Sequence, residues 1–398
     1  VEARWGAGYP NAQRSGDEVM AGATLWGVLT WRLDEPAVDL RGTLDVVDQA
    51  GHLLATEERS LLDAEHRPAS QWTPGVVARS YHLVTLPVTQ PPSTVRLEAR
   101  AYEEDTLNPL VPRHPTARGS VVLDAARVAP AGDLPAPREP ALDRPMHEEV
   151  WPGLVLRGAD AWAERVAPGQ ALSLRLYWRV ATPEAGGRRL MVHLGGTEAR
   201  GEAVIPAGLP PESLVHTYVD LRLPPDAPQG RRALTLVLPG SDKTVWLGEA
   251  LVEGRPRRFD APALSHPARA NFGGSVELLG FDAPASTLSV RPGESISLTV
   301  AWRARATPQR ELIRFIHLLG PDGSPAAQND AAPCAGGCPA PSWLPGEILV
   351  EEVAVKLPDD LPAGEYPLAT GWYDAASFTR LPALDAAGQP LPDDLARP

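Results

Sequence analysis

The chain has 398 residues, enough for about two to four domains, and 43% of them are hydrophobic, enough for packed cores. A formal net charge of −13 excludes a nucleic-acid partner, which needs a basic face. The 44 prolines and 35 glycines exclude long helices, because each proline removes a backbone donor and clashes with the preceding turn; short strands joined by turns are expected instead.

No run of about 18 apolar residues occurs, so no helical membrane span is expected. No signal-peptide pattern is read at the start. Val1 in place of methionine reads as a processed start or as one cut from a longer chain.

From the N-terminus, residues 1–124 read as a first β-sandwich repeat. Leu25, Gly27, Leu29 and Trp31 fall on one face of a strand, and Gly22 stands nine residues before Trp31. Such period-two alternation marks a strand buried on one side. Leu44–Val47, Tyr81–Leu86 and Thr94–Tyr102 read as further strands, and Gln71-Trp72-Thr73-Pro74-Gly75 as a loop landmark. Residues 125–149, rich in Ala, Pro and charge, read as a linker.

Residues 150–253 read as a second, shortened repeat. Leu172, Leu174, Leu176 and Trp178 alternate, and Gly169 again stands nine residues before the tryptophan. A more basic linker, 254–270, carries Arg255, Arg257 and Arg258. Residues 271–398 read as the third repeat, with Ile296, Leu298, Val300 and Trp302 on one face and Gly293 nine residues ahead. Trp72 follows Trp31 by forty-one residues, as Trp343 follows Trp302, and Leu86 follows Trp31 by fifty-five, as Leu357 follows Trp302. Several equal spacings in one frame predict an all-β chain of three tandem immunoglobulin-like or jelly-roll-like sandwiches. Trp31, Trp178 and Trp302 are then core residues, each filling the space between two sheets.

Residues that carry chemistry are few. No nucleophile elbow, phosphate loop or dinucleotide fingerprint follows a strand and opens a helix, so no catalytic residue is assigned and no cofactor or metal is expected. His193 and His317 hold equivalent strand positions, but the first repeat has Val46 there and no convergent partner is readable. Adjacent carboxylates such as Asp359-Asp360 and Glu351-Glu352 read as solvated turns or edges, because neighbours on a strand point to opposite faces. Cys334 and Cys338 are the only cysteines, too few for a structural zinc site; a disulfide-closed loop and a pair of free thiols both fit, and the disulfide implies an extracytoplasmic location. Trp343, Trp372 and Tyr373 form a candidate ligand platform, since aromatic faces stack on sugar rings; alternatively Trp343 plugs the end of its sandwich, as Trp72 does in the first repeat.

In the third repeat, Phe315-Ile316-His317-Leu318-Leu319-Gly320-Pro321-Asp322-Gly323 leads to Gln328-Asn329-Asp330. Trp343-Leu344-Pro345-Gly346-Glu347, Leu361-Pro362-Ala363-Gly364-Glu365-Tyr366, Gly371-Trp372-Tyr373-Asp374 and Arg380-Leu381-Pro382 follow. This pattern resembles the soluble C-terminal β-sandwich repeats behind the membrane part of polytopic mannosyltransferase-like glycosyltransferases of Chloroflexota-type bacteria. The likeness covers most of 271–398 and weakens upstream. It implies a non-catalytic exterior portion, or a separately encoded relative of one, with catalytic acids expected in a membrane half that this sequence does not contain. The Cys334–Cys338 loop departs from the pattern, which has only Gly and Pro there.

The expectation is therefore a non-enzymatic, extracytoplasmic structural or interaction module of the cell envelope, at the cell surface or in a periplasm-like space. Its expected partners are other envelope proteins or copies of itself, with glycan or glycolipid binding as the alternative and a glycan-active enzyme as a third reading. Contact with a membrane is expected only through a segment outside this sequence.

Overall fold

The computed structural model describes residues 2–7, 18–32, 38–110, 120–130, 141–160, 162–238, 240, 243–283 and 289–397. These residues form strands and short 3-10 turns, with no α-helix among them. The strands make six sheets, and the large core clusters fall one to each third of the chain.

In the first third, Glu2–Ala7, Thr24–Arg32 and Val77–Thr85 form a three-stranded sheet. It faces a five-stranded sheet ordered Glu18–Met20, Val121–Ala129, Ser93–Glu103, Leu40–Val47, Leu53–Ser60. In the second, Ser213–Arg222, Ala171–Val180, Leu154–Asp160 and Arg144–Trp151 face Arg165–Val166, Thr244–Val252, Gly230–Val237, Arg188–Leu194 and Arg200–Ile205. In the third, Ile348–Lys356, Ser295–Ala304, Val276–Asp282, His266–Phe272 and Ala383–Asp385 face Pro325–Ala331, Leu312–Leu319 and Leu368–Asp374.

The alternation read in the sequence is the alternation of burial. Leu25, Leu29 and Trp31 point inward, as do Leu172, Leu174, Leu176 and Trp178, and Ile296, Leu298, Val300 and Trp302. The glycine nine residues ahead turns the chain in all three copies. Gly22, Gly169 and Gly293 have φ of 80°, 84° and 81°, a left-handed conformation that side chains disfavour. The residue after each glycine accepts a backbone hydrogen bond from the leucine of the Leu-Pro corner. Leu86 N donates to Ala23 O at 3.0 Å, Leu223 N to Gln170 O at 2.9 Å and Leu357 N to Glu294 O at 2.9 Å. The equal spacings thus reflect one repeated contact that closes a strand pair at its end.

Both segments read as linkers contain strands, which corrects that expectation. Val121–Ala129 completes the first five-stranded sheet, and Arg144–Trp151 is an edge of the second unit. Likewise His266–Phe272 lies within the third unit, between Val276–Asp282 and Ala383–Asp385. Ala- and Pro-rich composition weakens the local strand signal, and partner strands supply what propensity lacks. The centre of the first linker, 131–140, lies outside the described residues.

Candidate functional site

Trp343 and Trp372 are fully buried, so they cannot present stacking faces to a ligand. Trp372 packs edge-to-face against Trp302 at 5.0 Å and against Trp343 at 5.5 Å between ring centres. Tyr373, next along the strand, points to the opposite face, where it stacks with Phe315 and Phe378. Burial, with Asp330 beside it, pushes the Tyr373 hydroxyl up to about 12. The platform read from these three residues is therefore two core side chains and one on the outer face. Trp343 does what Trp72 does: each indole N–H donates to the carbonyl five residues back, Arg67 O or Cys338 O, at 2.9 Å.

Cys334 and Cys338 form a disulfide, with Cα atoms 5.4 Å apart. The loop it closes is tied to the core twice, through Cys338 O to Trp343 and through Cys334 N donating to Glu351 Oε1 at 2.8 Å. Glu351 occupies the position held by Ser80 and Thr217 in the other copies, whose hydroxyls accept from Trp31 Nε1 at 2.7 Å and Trp178 Nε1 at 2.9 Å. In the third copy Trp302 Nε1 has no hydrogen-bond partner among the described residues, while Glu351 reaches the disulfide loop and Arg314, whose Nε lies 3.5 Å away. His317, at the strand position it shares with His193, is buried and bonded through Nε2 to Asp330 at 2.8 Å.

The specific polar chemistry lies where consecutive units meet. At the first joint, His52 leaves a turn of the first unit with Nδ1 2.7 Å from Asp48 and Nε2 2.8 Å from Asp220 of the second. Its ring stacks on Tyr218 at 4.2 Å and 10°. Beside it, His216 N donates to Thr89 O at 2.9 Å, and His216 Nδ1 lies 2.8 Å from the Thr89 hydroxyl. Arg175, paired through two bonds with Asp160, backs this cluster beneath Tyr177 and Tyr218.

At the second joint, Glu347 is fully buried and paired with Arg255 and Arg257, both from the segment between the units. Arg257 also donates to Pro225 O of the second unit and Ser342 O of the third, each at 2.8 Å. Gly169 comes so close to the third unit that a Cβ there would lie 2.4 Å from Ser342 Cα. These joint residues are distant in sequence. The only sequence signal for them was the basic run Arg255, Arg257, Arg258.

The two histidines of the first joint titrate with opposite sign. Asp48 first, then Asp220, raises the His52 value. Its contribution is complete below the ordinary value of 6.5 and is lost as pH rises through the raised one. Burial, helped by Arg175, lowers His216 to about 4, and its Nε2 is buried without a hydrogen-bond partner among the described residues. The unfolded chain therefore protonates at His216 first as pH falls below 6.5. That shift is worth on the order of 3 kcal/mol by pH 4. Denaturation midpoints measured across pH are expected to peak near 6.5 and fall toward 4, and His216→Gln is expected to flatten the acid side of the profile.

One concave polar surface stands apart from the joints. On the outer face of the first five-stranded sheet, Arg41, Thr43 and Asp45 stand in register with Ser60, Glu58 and Thr56 on one side and Tyr102, Arg100 and Glu98 on the other. A cleft of about 920 Å³ opens over this grid, walled by Glu104, Leu107 and Pro109. Its charges pair internally: Arg41 with Glu58 and Glu104, and Arg100 with Asp45 at 2.6 Å. Thr43 Oγ1, buried on its floor, has no hydrogen-bond partner among the described residues.

No family model matches the chain. No curated protein matches it. Among solved structures, the C-terminal domain of the Streptococcus pyogenes antigen I/II-family protein AspA aligns over 64% of this chain and 99% of its own, at 10% identity and a TM-score of 0.20. A Corynebacterium diphtheriae protein described as membrane anchored aligns over 100% of this chain and 97% of its own, at 12% identity and a TM-score of 0.17. At these TM-scores the likeness carries no argument about fold or function.

Proposed function

We propose that the chain is a non-catalytic, extracytoplasmic module of the cell envelope that holds consecutive β-sandwiches in fixed relation. The second joint carries this reading. A fully buried carboxylate, Glu347, is neutralised by two arginines of the connecting segment. One of them, Arg257, also donates to Pro225 O of the second unit and Ser342 O of the third, so a single side chain ties both units to the segment between them. The disulfide supports an oxidising compartment. The resemblance of the third repeat supplies the setting, the exterior part of a membrane glycosyltransferase-like protein. Incubation with glycan and glycolipid substrates is expected to give no turnover; a specific turnover abolished by one point substitution contradicts the reading.

The cleft over Thr43 favours glycan binding as a second reading. Internally paired charges leave a neutral ligand as the better match, and vicinal hydroxyls both donate and accept, as this grid requires. Calorimetric titration with cellotriose and mannotriose is expected to show binding. Thr43→Val should weaken it about five- to tenfold, one lost hydrogen bond, while leaving folding stability unchanged or higher. Affinity that survives the substitution intact places the sugar elsewhere.

A further inference from the structure

The sheet face that receives the first joint exists again in the first unit, where it is exposed. Counted from the core tryptophans, with the ten-residue shortening of the second copy allowed for, Tyr81 stands where Tyr218 stands, Arg79 where His216 stands and Leu83 where Asp220 stands. The strand registers agree: Trp26 pairs with Leu83, Val28 with Tyr81 and Thr30 with Arg79, as Ser173 pairs with Asp220, Arg175 with Tyr218 and Tyr177 with His216. In the second unit these positions are polar and are engaged by His52 and Thr89 of the preceding unit. In the first unit they are largely apolar and open: Tyr81 is 64% exposed and Leu83 62%. Trp26 lies flat beside them against Gly6, where a Cβ would come within 2.9 Å of the indole. Exposed Arg4, Arg32 and Arg79 border the patch.

The elements that cover this face in the second unit also recur at the far end of the chain. The turn that carries His52 corresponds to the turn Gly320–Ser324 of the third unit, and the Leu86–Thr89 corner corresponds to Leu357–Asp360. These carry Asp322, Asp359 and Asp360, all exposed, and Asp360 stands where Thr89 stands. An acidic corner therefore matches an arginine-bordered apolar face, in the geometry that the first joint already uses.

We infer that a second copy of this chain docks its Asp322–Asp360 corner onto the Tyr81–Leu83 face of the first unit. The two surfaces differ, so the contact is head-to-tail, leaves one of each surface free at the ends and propagates into an open row of copies. Apolar area at the centre with opposite charge at the border is the usual composition of such a contact.

Sedimentation of the purified chain is expected to show a mass that grows with protein concentration and shrinks with added salt, since the charged border is screened. Leu83→Glu and Asp360→Lys are each expected to weaken association at least about tenfold. Both side chains are exposed, so at a concentration where wild type and variants are all monomeric the thermal midpoint should not move in either variant. Mixed together, the two variants are expected to form a one-to-one dimer that does not grow, because one supplies an intact corner and the other an intact face. A wild-type chain that stays monomeric up to its solubility limit, variants that associate like wild type, or a mixture that fails to pair would each overturn the inference.

Discussion

Replacing Trp372 by alanine is expected to destabilise the third unit by about 3–5 kcal/mol, the usual loss for a large buried aromatic. The indole is fully buried and contacts both Trp302 and Trp343 edge-to-face. Its removal empties the space between the two sheets and loosens Trp343, whose N–H bond to Cys338 O ties down the disulfide loop. Trp372→Phe should cost less, because an aromatic ring remains between its two neighbours. Denaturant unfolding resolves the effect if the units melt in separate steps, as multidomain chains often do. The transition of the third unit should shift while the others stay in place. A small loss of stability together with lost sugar binding would instead return Trp372 to the ligand-facing role first read for it.

Replacing Glu347 by alanine is expected to cost a comparable amount, about 3–5 kcal/mol, by a different route. Two guanidinium groups lose their shared counter-charge at a site where Glu347 is fully buried and Arg255 and Arg257 are mostly so. Leu344 N loses its acceptor as well, a bond of 3.0 Å. The net worth of the intact cluster over a well-packed apolar one is small, since burying charge offsets most of the attraction; breaking one side of it is what costs. The damage should appear at the joint, through Arg257, which holds Pro225 O and Ser342 O together. Proteolysis between the second and third units should quicken in Glu347→Ala, and much less in a substitution of an exposed carboxylate such as Glu352.

The repeat frame was readable from residues alone because it has a physical cause. A strand buried on one face needs alternation, a corner that closes it needs a glycine at positive φ, and both recur at fixed spacing around Trp31, Trp178 and Trp302. The strands Val121–Ala129 and His266–Phe272 were not readable, because they take their stability from neighbouring strands rather than from their own composition. The split of Trp372 and Tyr373 between two faces is legible in the sequence, because adjacent strand residues point to opposite faces, the rule that also separates the acidic pairs. The joints had almost none. His52 meets Asp220, and Arg257 meets Glu347, across separations that only the folded chain closes.

Small-angle X-ray scattering of the whole chain tests most directly whether the units are held in fixed relation. At a protein concentration low enough to leave the chain monomeric, a single arrangement, with both joints closed as in the structure, is expected to reproduce the curve at pH 6.5. Glu347→Ala should require a mixture of arrangements. A wild-type curve fitted only by units that reorient freely at the two joints would contradict the fixed-joint reading.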